Sequence, residues 1–204
     1  MVMRFVSRRH PVTDMTKAEN LMSRAWTTRR ESFKASARSR SRLIQHSHND
    51  LTIAMKLARK ANDEKNLAQA MHLLANVEID MGQYEKAESL WLASVELCRK
   101  IGDKAFLAHK VRHLGDIYKL KKRLCEASTC YNEALTLYRS LDDPPKLDFA
   151  NALQRMALHK EATGLNEESI RLWREARHYY ELTGILDGVR ECSSHLKKLK
   201  EYSH

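Results

Sequence analysis

The sequence predicts an all-α fold built from helical hairpins stacked side by side, and three observations carry that expectation. Ala87, Ala127 and Ser169 each stand four residues before a large aromatic, Trp91, Tyr131 and Trp173, so one phrase recurs at intervals of 40 and then 42 residues. A large-then-small pair precedes each phrase (Leu74-Ala75, Leu114-Gly115, Met156-Ala157), and a small residue follows each aromatic by three (Ser94, Ala134, Ala176). Only six Gly and three Pro interrupt 204 residues. Spacings of three and four place side chains on one helical face. A lone hairpin cannot bury such a face, so the period implies neighbours that stack into a continuous core.

The elements follow in chain order. Residues 1–45 read as a basic N-terminal extension, partly helical or disordered, with eleven Lys and Arg against three acids. That net +8 is most of the chain's +10, so the basic character lies outside the repeats. Within the extension, Thr16-Lys17-Ala18-Glu19 has the form of a capping box, and Leu21, Met22, Ala25, Trp26 and Phe33 follow at roughly helical spacing. Arg24, Arg29, Arg30, Lys34, Arg38, Arg40 and Arg42 crowd its polar side. Docking on an acidic surface, contact with nucleic-acid phosphates and an organelle-targeting leader all fit this composition. So does a solvated extension whose Trp26 and Phe33 pad the first stacked helix, which is the favoured reading.

Residues 46–66 read as a partial repeat, in which Leu51 takes the aromatic position and Ala54 the following small one. An offset of 40 places the matching first helix over about residues 28–41, with Phe33 and Ala35 as its core. Three full repeats cover about 67–105, 106–146 and 147–184. Each turns once internally, at Met81-Gly82-Gln83, Lys121-Lys122-Arg123 and Thr163-Gly164-Leu165. Pro144-Pro145 falls between the second and third repeats, where a helix must stop. Val189, Cys192, Leu196 and Leu199 then define an amphipathic capping helix over about 186–202.

On these residues the chain resembles tetratricopeptide repeat proteins, with long repeats of about 40 residues similar to those of kinesin light chain and related bacterial regulators. The resemblance spans about Leu67–Gly184. It implies hairpins stacked into a right-handed α-solenoid whose first helices line a concave groove. Lys122 replaces the turn Gly, Ser169 stands where Ala is usual, and Glu78 and Lys160 replace an aromatic late in the first helix.

Catalytic chemistry finds little footing. Cys98, Cys125, Cys130 and Cys192 show no C-x-x-C spacing and read as reduced, half-buried thiols. His109 and His113 lie four apart, but the intervening Lys-Val-Arg lacks the Glu of a zinc-protease helix, so no metal and no cofactor are expected. No Gly-rich phosphate loop and no apolar stretch of membrane-spanning length occur. The expectation is a soluble, cytoplasmic protein that is not an enzyme.

Function then falls to side chains that packing leaves free. Those on the first helices are Gln69, His72, Asn76, Ile79 and Asp80, then His109, Arg112, Asp116 and Lys119, then Asn151, Gln154, Arg155 and Glu161. The resemblance implies that such a strip holds an extended peptide, with Asn76 best matched to a backbone-gripping position. Residues corresponding to the chaperone-tail clamp of some relatives are His72, Asn76, His113, Asn151 and Arg155, of which only Asn76 and Arg155 agree. The expected function is therefore a scaffold or adaptor binding a peptide segment of a partner protein, through Gln69, His72, Asn76, His109, Arg112, Asp116, Asn151 and Arg155. The alternative is a regulatory protein whose basic N-terminal segment contacts nucleic acid or an acidic partner. An oligomer is compatible with either.

Overall fold

The computed structural model describes residues 14–201. Among them are nine α-helices and no strand: α1 (Asp14–Ser32), α2 (Ala37–Lys60), α3 (Glu64–Asp80), α4 (Tyr84–Ile101), α5 (Lys104–Leu120), α6 (Leu124–Arg139), α7 (Lys146–Ala162), α8 (Asn166–Thr183) and α9 (Leu186–Glu201). They form two compact units, divided between Leu90 and Trp91.

The turns share one mechanism. Asn62, Gly82, Gly102 and Lys122 are twenty residues apart, as are Gly164 and Gly184, and all six adopt positive φ. Ala58, Glu78, Tyr118, Lys160 and Tyr180 each lend a carbonyl to an amide five residues on, which closes the preceding helix. Lys122 holds this left-handed conformation at φ 59° with no glycine to ease it. Asp63 and Asp103 cap α3 and α5 by accepting from the amides of Asn66 and Phe106, both at 3.0 Å.

In the first unit, α1 and α2 form a hairpin that packs on α3. Ala18, Met22 and Ala25 of α1 meet Ile44, Leu51 and Ala54 of α2 and Ala70, Leu74 and Val77 of α3 in one core. The helix expected over 28–41 is absent: the chain turns at residues 33–36, and Phe33 is 52% exposed. Gln45, expected to end the extension, lies inside α2, and Thr16 lies inside α1 rather than at its cap.

The reason is a longer hairpin. Ser47 Oγ donates to the Ala25 carbonyl at 2.9 Å, and Ser169 Oγ donates to the Ala157 carbonyl at the same 2.9 Å. These are equivalent contacts, yet they join residues 22 apart in the α1–α2 hairpin and 12 apart in the α7–α8 hairpin. α2 runs ten residues back before its Ser-x3-Leu phrase, so the offset of 40 fails for its partner helix.

In the second unit α5 pairs with α6, α7 with α8, and α9 lies against α8. Trp91, Tyr131 and Trp173 are fully buried, with Ala127, Ser169, Ser94, Ala134 and Ala176 around the same repeat positions. A Cβ on Gly115 would stand 2.7 Å from Tyr131 Cε1, so that aromatic fits only because its facing residue lacks a side chain. Cys192, Leu196 and Leu199 give α9 its buried face, as the spacing predicts. The four cysteines are unpaired thiols, and burial pushes Cys130 up to about 11 and Cys192 up to about 12, which suits packing rather than reactivity. Among the described residues no helix is long and apolar enough to cross a membrane.

Candidate functional site

The first helices of the second unit carry a connected set of polar side chains. On α5, His109, Arg112, His113 and Asp116 recur at helical spacing, and on α7 Asp148, Asn151 and Arg155 do the same. Asp116 is the hub. It accepts from the Tyr131 hydroxyl at 2.9 Å, lies 3.3 Å from His113 Nδ1, and stands 3.5 Å and 3.6 Å from the guanidinium nitrogens of Arg155 and Arg112. His109 Nδ1 is 3.2 Å from an Asp148 carboxylate oxygen, and the His109 and His113 rings meet edge to face at 4.8 Å.

These contacts fix a protonation pattern. Arg112 can only donate, so at 2.6 Å its Nη2 bonds a lone pair on His113 Nε2, leaving the proton on Nδ1 to face Asp116. His113 is thus a neutral imidazole that relays polarity between a cation and an anion. Burial, reinforced by the Arg112 charge, pushes its pKa down to about 3. The ring stacks on buried Trp91 at 5.3 Å, which holds its plane. Burial raises the Asp116 carboxyl, but the His113 bond and the Arg155 and Arg112 charges outweigh it, and the net direction is downward. Asp148 is lowered chiefly by its bond from His109.

A second cluster lies on α7 and α8. The Tyr180 hydroxyl is 2.8 Å from Asn151 Oδ1 and 3.2 Å from Gln154 Oε1. Tyr180 is seated against Gly188 of α9, where a Cβ would come within 2.6 Å of its ring. Asn151 therefore presents its amide with its oxygen already held.

The expected groove residues divide on burial. Arg112 and Gln154 in this unit, and His72 in the first, are buried, contrary to a solvent-facing placement. Their positions fall between packed helices, and Arg112 Nε has no hydrogen-bond partner there. Asp80 is tied to Arg29, with Oδ2 at 2.5 Å, and Glu161 to His195 and Lys198 of α9 at 2.8 and 3.1 Å. Gln69 and Asn76 are partly accessible in the first unit, and His109, Asp116, Asn151 and Arg155 in the second. Asp148, Tyr131 and Tyr180 belong to the network but escape the sequence reading. Tyr131 fits the packing phrase so well that its hydroxyl, fifteen residues from Asp116, carries no separate signal.

Residues 66–140 match the tetratricopeptide repeat family. No curated protein sequence matches the chain. Among solved structures, the chain is similar to a putative kinesin light chain with nearly identical TPR-like repeats from Podosopora anserina, at TM-score 0.60 and 14% identity, over 92% of this chain and 98% of that one. It is also similar to the apo form of RapI, at TM-score 0.68 and 15% identity, over 93% of this chain and 72% of RapI. A Rap protein complexed with competence and sporulation factor gives TM-score 0.67 and 16% identity, over 91% of this chain and 54% of that one. The recurring small–aromatic phrase and the match over residues 66–140 identify tetratricopeptide repeats in that stretch, and the likenesses to solved structures show the same all-helical repeat fold.

Proposed function

We propose that this chain is a protein-interaction module that takes an extended segment of a partner protein against the polar face of its first helices, without catalysis. One observation carries the reading. Asn151 and Arg155 are partly accessible on one face of α7, and each meets a neighbour from behind, buried Tyr180 for Asn151 and the half-buried Asp116 hub, 3.5 Å away, for Arg155. Side chains held in this way bind with little further loss of conformational freedom. An Asn amide can donate to and accept from a peptide backbone, and Arg155 supplies a cation for an acidic or carbonyl group. In the repeat register Gln69 and Asn76 of α3, in the first unit, occupy positions equivalent to Asn151 and Asp116. His72, His109 and Arg112 act by orientation, because burial or internal bonds occupy them. The Rap complex with competence and sporulation factor supports ligand binding by a protein of this fold.

A photo-crosslinking residue placed at Arg155, and separately at exposed Thr129 on α6, tests the face directly. The proposal expects a defined partner segment crosslinked from position 155 and none from 129. Equal capture at both positions would remove the assignment.

A further inference from the structure

The hairpin of α1 and α2 carries a surface that the first-helix reading does not use. Residues 30–42 hold five cations, Arg30, Lys34, Arg38, Arg40 and Arg42, against one acid, Glu31. All five are exposed, and no described carboxylate forms an ion pair with any of them. Their neighbours show the contrast: Arg24 and Arg29 are each bound by two nitrogens to Asp50 and Asp80. Arginines needed for the fold are therefore paired, and those at the hairpin tip are left over.

Two aromatic rings lie within the same surface. Trp26 is 46% exposed with the Arg30 guanidinium 4.6 Å from its ring centre. Phe33, 52% exposed at the tip, has Arg29 at 5.2 Å and Arg40 at 5.5 Å. Arg40, Ser41 and Gln45 line an open cleft together with Asp80, whose carboxylate is taken up by Arg29, and a second cleft sharing Ser41 and Gln45 continues along α2 past Arg38, Arg42 and His46 to Asn49. From Arg38 to Asn49 the helical rise gives about 16 Å of donor-lined surface. The first turn of α2 holds no acid, so its arginines sit against the helix dipole and repel one another until an anion arrives.

We infer that this hairpin tip binds single-stranded nucleic acid, with Arg38 and Arg42 meeting phosphates while Trp26 and Phe33 offer faces for unpaired bases. A charged track with exposed, cation-flanked rings on the same hairpin is the kind of arrangement that such strands use. An acidic peptide would answer the arginines but leave both rings without a role. A duplex hides the base faces that the rings would stack on. A lipid surface would have to bury the guanidiniums that lie over both rings, at a steep desolvation cost.

Trp91 and Trp173 are fully buried, so Trp26 is the one exposed indole among the three tryptophans and reports on contact directly. The test titrates the full chain with 20-nucleotide oligo-U and oligo-dT, following anisotropy and tryptophan fluorescence from 50 to 200 mM salt. A duplex, polyglutamate and anionic vesicles serve as competitors. Expected are saturable binding to either single strand, quenching of Trp26 that Trp26→Leu abolishes, and at least tenfold weaker binding of the three competitors. The Arg38→Gln/Arg42→Gln variant, with its circular dichroism unchanged, should flatten the salt slope by about 1.4, or 0.7 per lost phosphate contact. Absence of binding at 50 mM salt, an unquenched Trp26, or a competitor that binds as tightly as the strands would overturn the inference.

Discussion

Gly115→Ala isolates the contact on which the repeat packing rests. The added Cβ would lie 2.7 and 2.9 Å from Tyr131 Cε1 and Cδ1, and 3.1 Å from Cys130 Cβ, whereas ordinary contact begins near 3.4 Å. The ring must therefore retreat by about 0.7 Å, yet it is fully buried and its hydroxyl is bonded to Asp116 at 2.9 Å. Overpacking of this kind costs about 1–3 kcal/mol. Replacing a mid-helix glycine by alanine returns about 0.8–1 kcal/mol of helix propensity. The difference leaves a net loss of up to about 2 kcal/mol, or a fall in Tm of up to about 8 °C for a domain of this size. Tyr131→Phe in the same background should recover part of the loss, since a ring freed from Asp116 can move. Thermal melts followed by circular dichroism measure both. If Gly115→Ala melts at or above the parent temperature, Tyr131 does not occupy the space that the repeat register gives it, and the reasoning fails.

Lys122→Gly should stabilise the protein by about 0.5–1 kcal/mol, because a left-handed residue with a side chain is relieved while glycine's extra unfolded-state freedom takes back part of the gain. Lys121→Gly, one residue earlier at φ −81°, should destabilise, and urea midpoints of the pair give the comparison. Stability should also fall with acidification. His113 is held at about 3 in the folded state against 6.5 unfolded, so its contribution is complete above pH 6.5 and is lost as pH falls from there towards 3. His109 and His159 shift in the same downward sense and steepen the slope. Melts between pH 7 and pH 5 should show a falling Tm, with a shallower fall for His113→Asn; an unchanged slope in that variant would exclude His113 as a source.

The sequence carried the packing of the repeats well because packing is local and periodic. Small residues facing large ones at fixed intervals leave a pattern that no surface substitution erases, and every residue of the three phrases is buried. It carried Lys122 as the turn residue for the same reason, since the left-handed position recurs every twenty residues. The first hairpin was misplaced where its length broke the period. Ala18, Met22 and Ala25 had the right helical spacing, but nothing in a 40-residue offset pointed back as far as Ala25. The candidate site was harder still. Polar residues on first helices look alike in sequence, and whether one is free depends on partners across helix pairs. Arg112 reads as an open cation until His113 and Asp116 are found around it, and Tyr131 reads as core until its hydroxyl is followed. Asn151 and Arg155 are partly accessible on α7, with Tyr180 and Asp116 against them from within.

Under the proposed function, packing residues stack the helices while Asn151 and Arg155 do the binding. The most direct measurement is the affinity of the segment crosslinked from position 155 for the parent chain and for Asn151→Ala/Arg155→Ala, each with its melting temperature. At least a tenfold loss of affinity is expected, with the melting temperature within a few degrees of the parent. Full affinity in the double variant, with the fold intact, would contradict it.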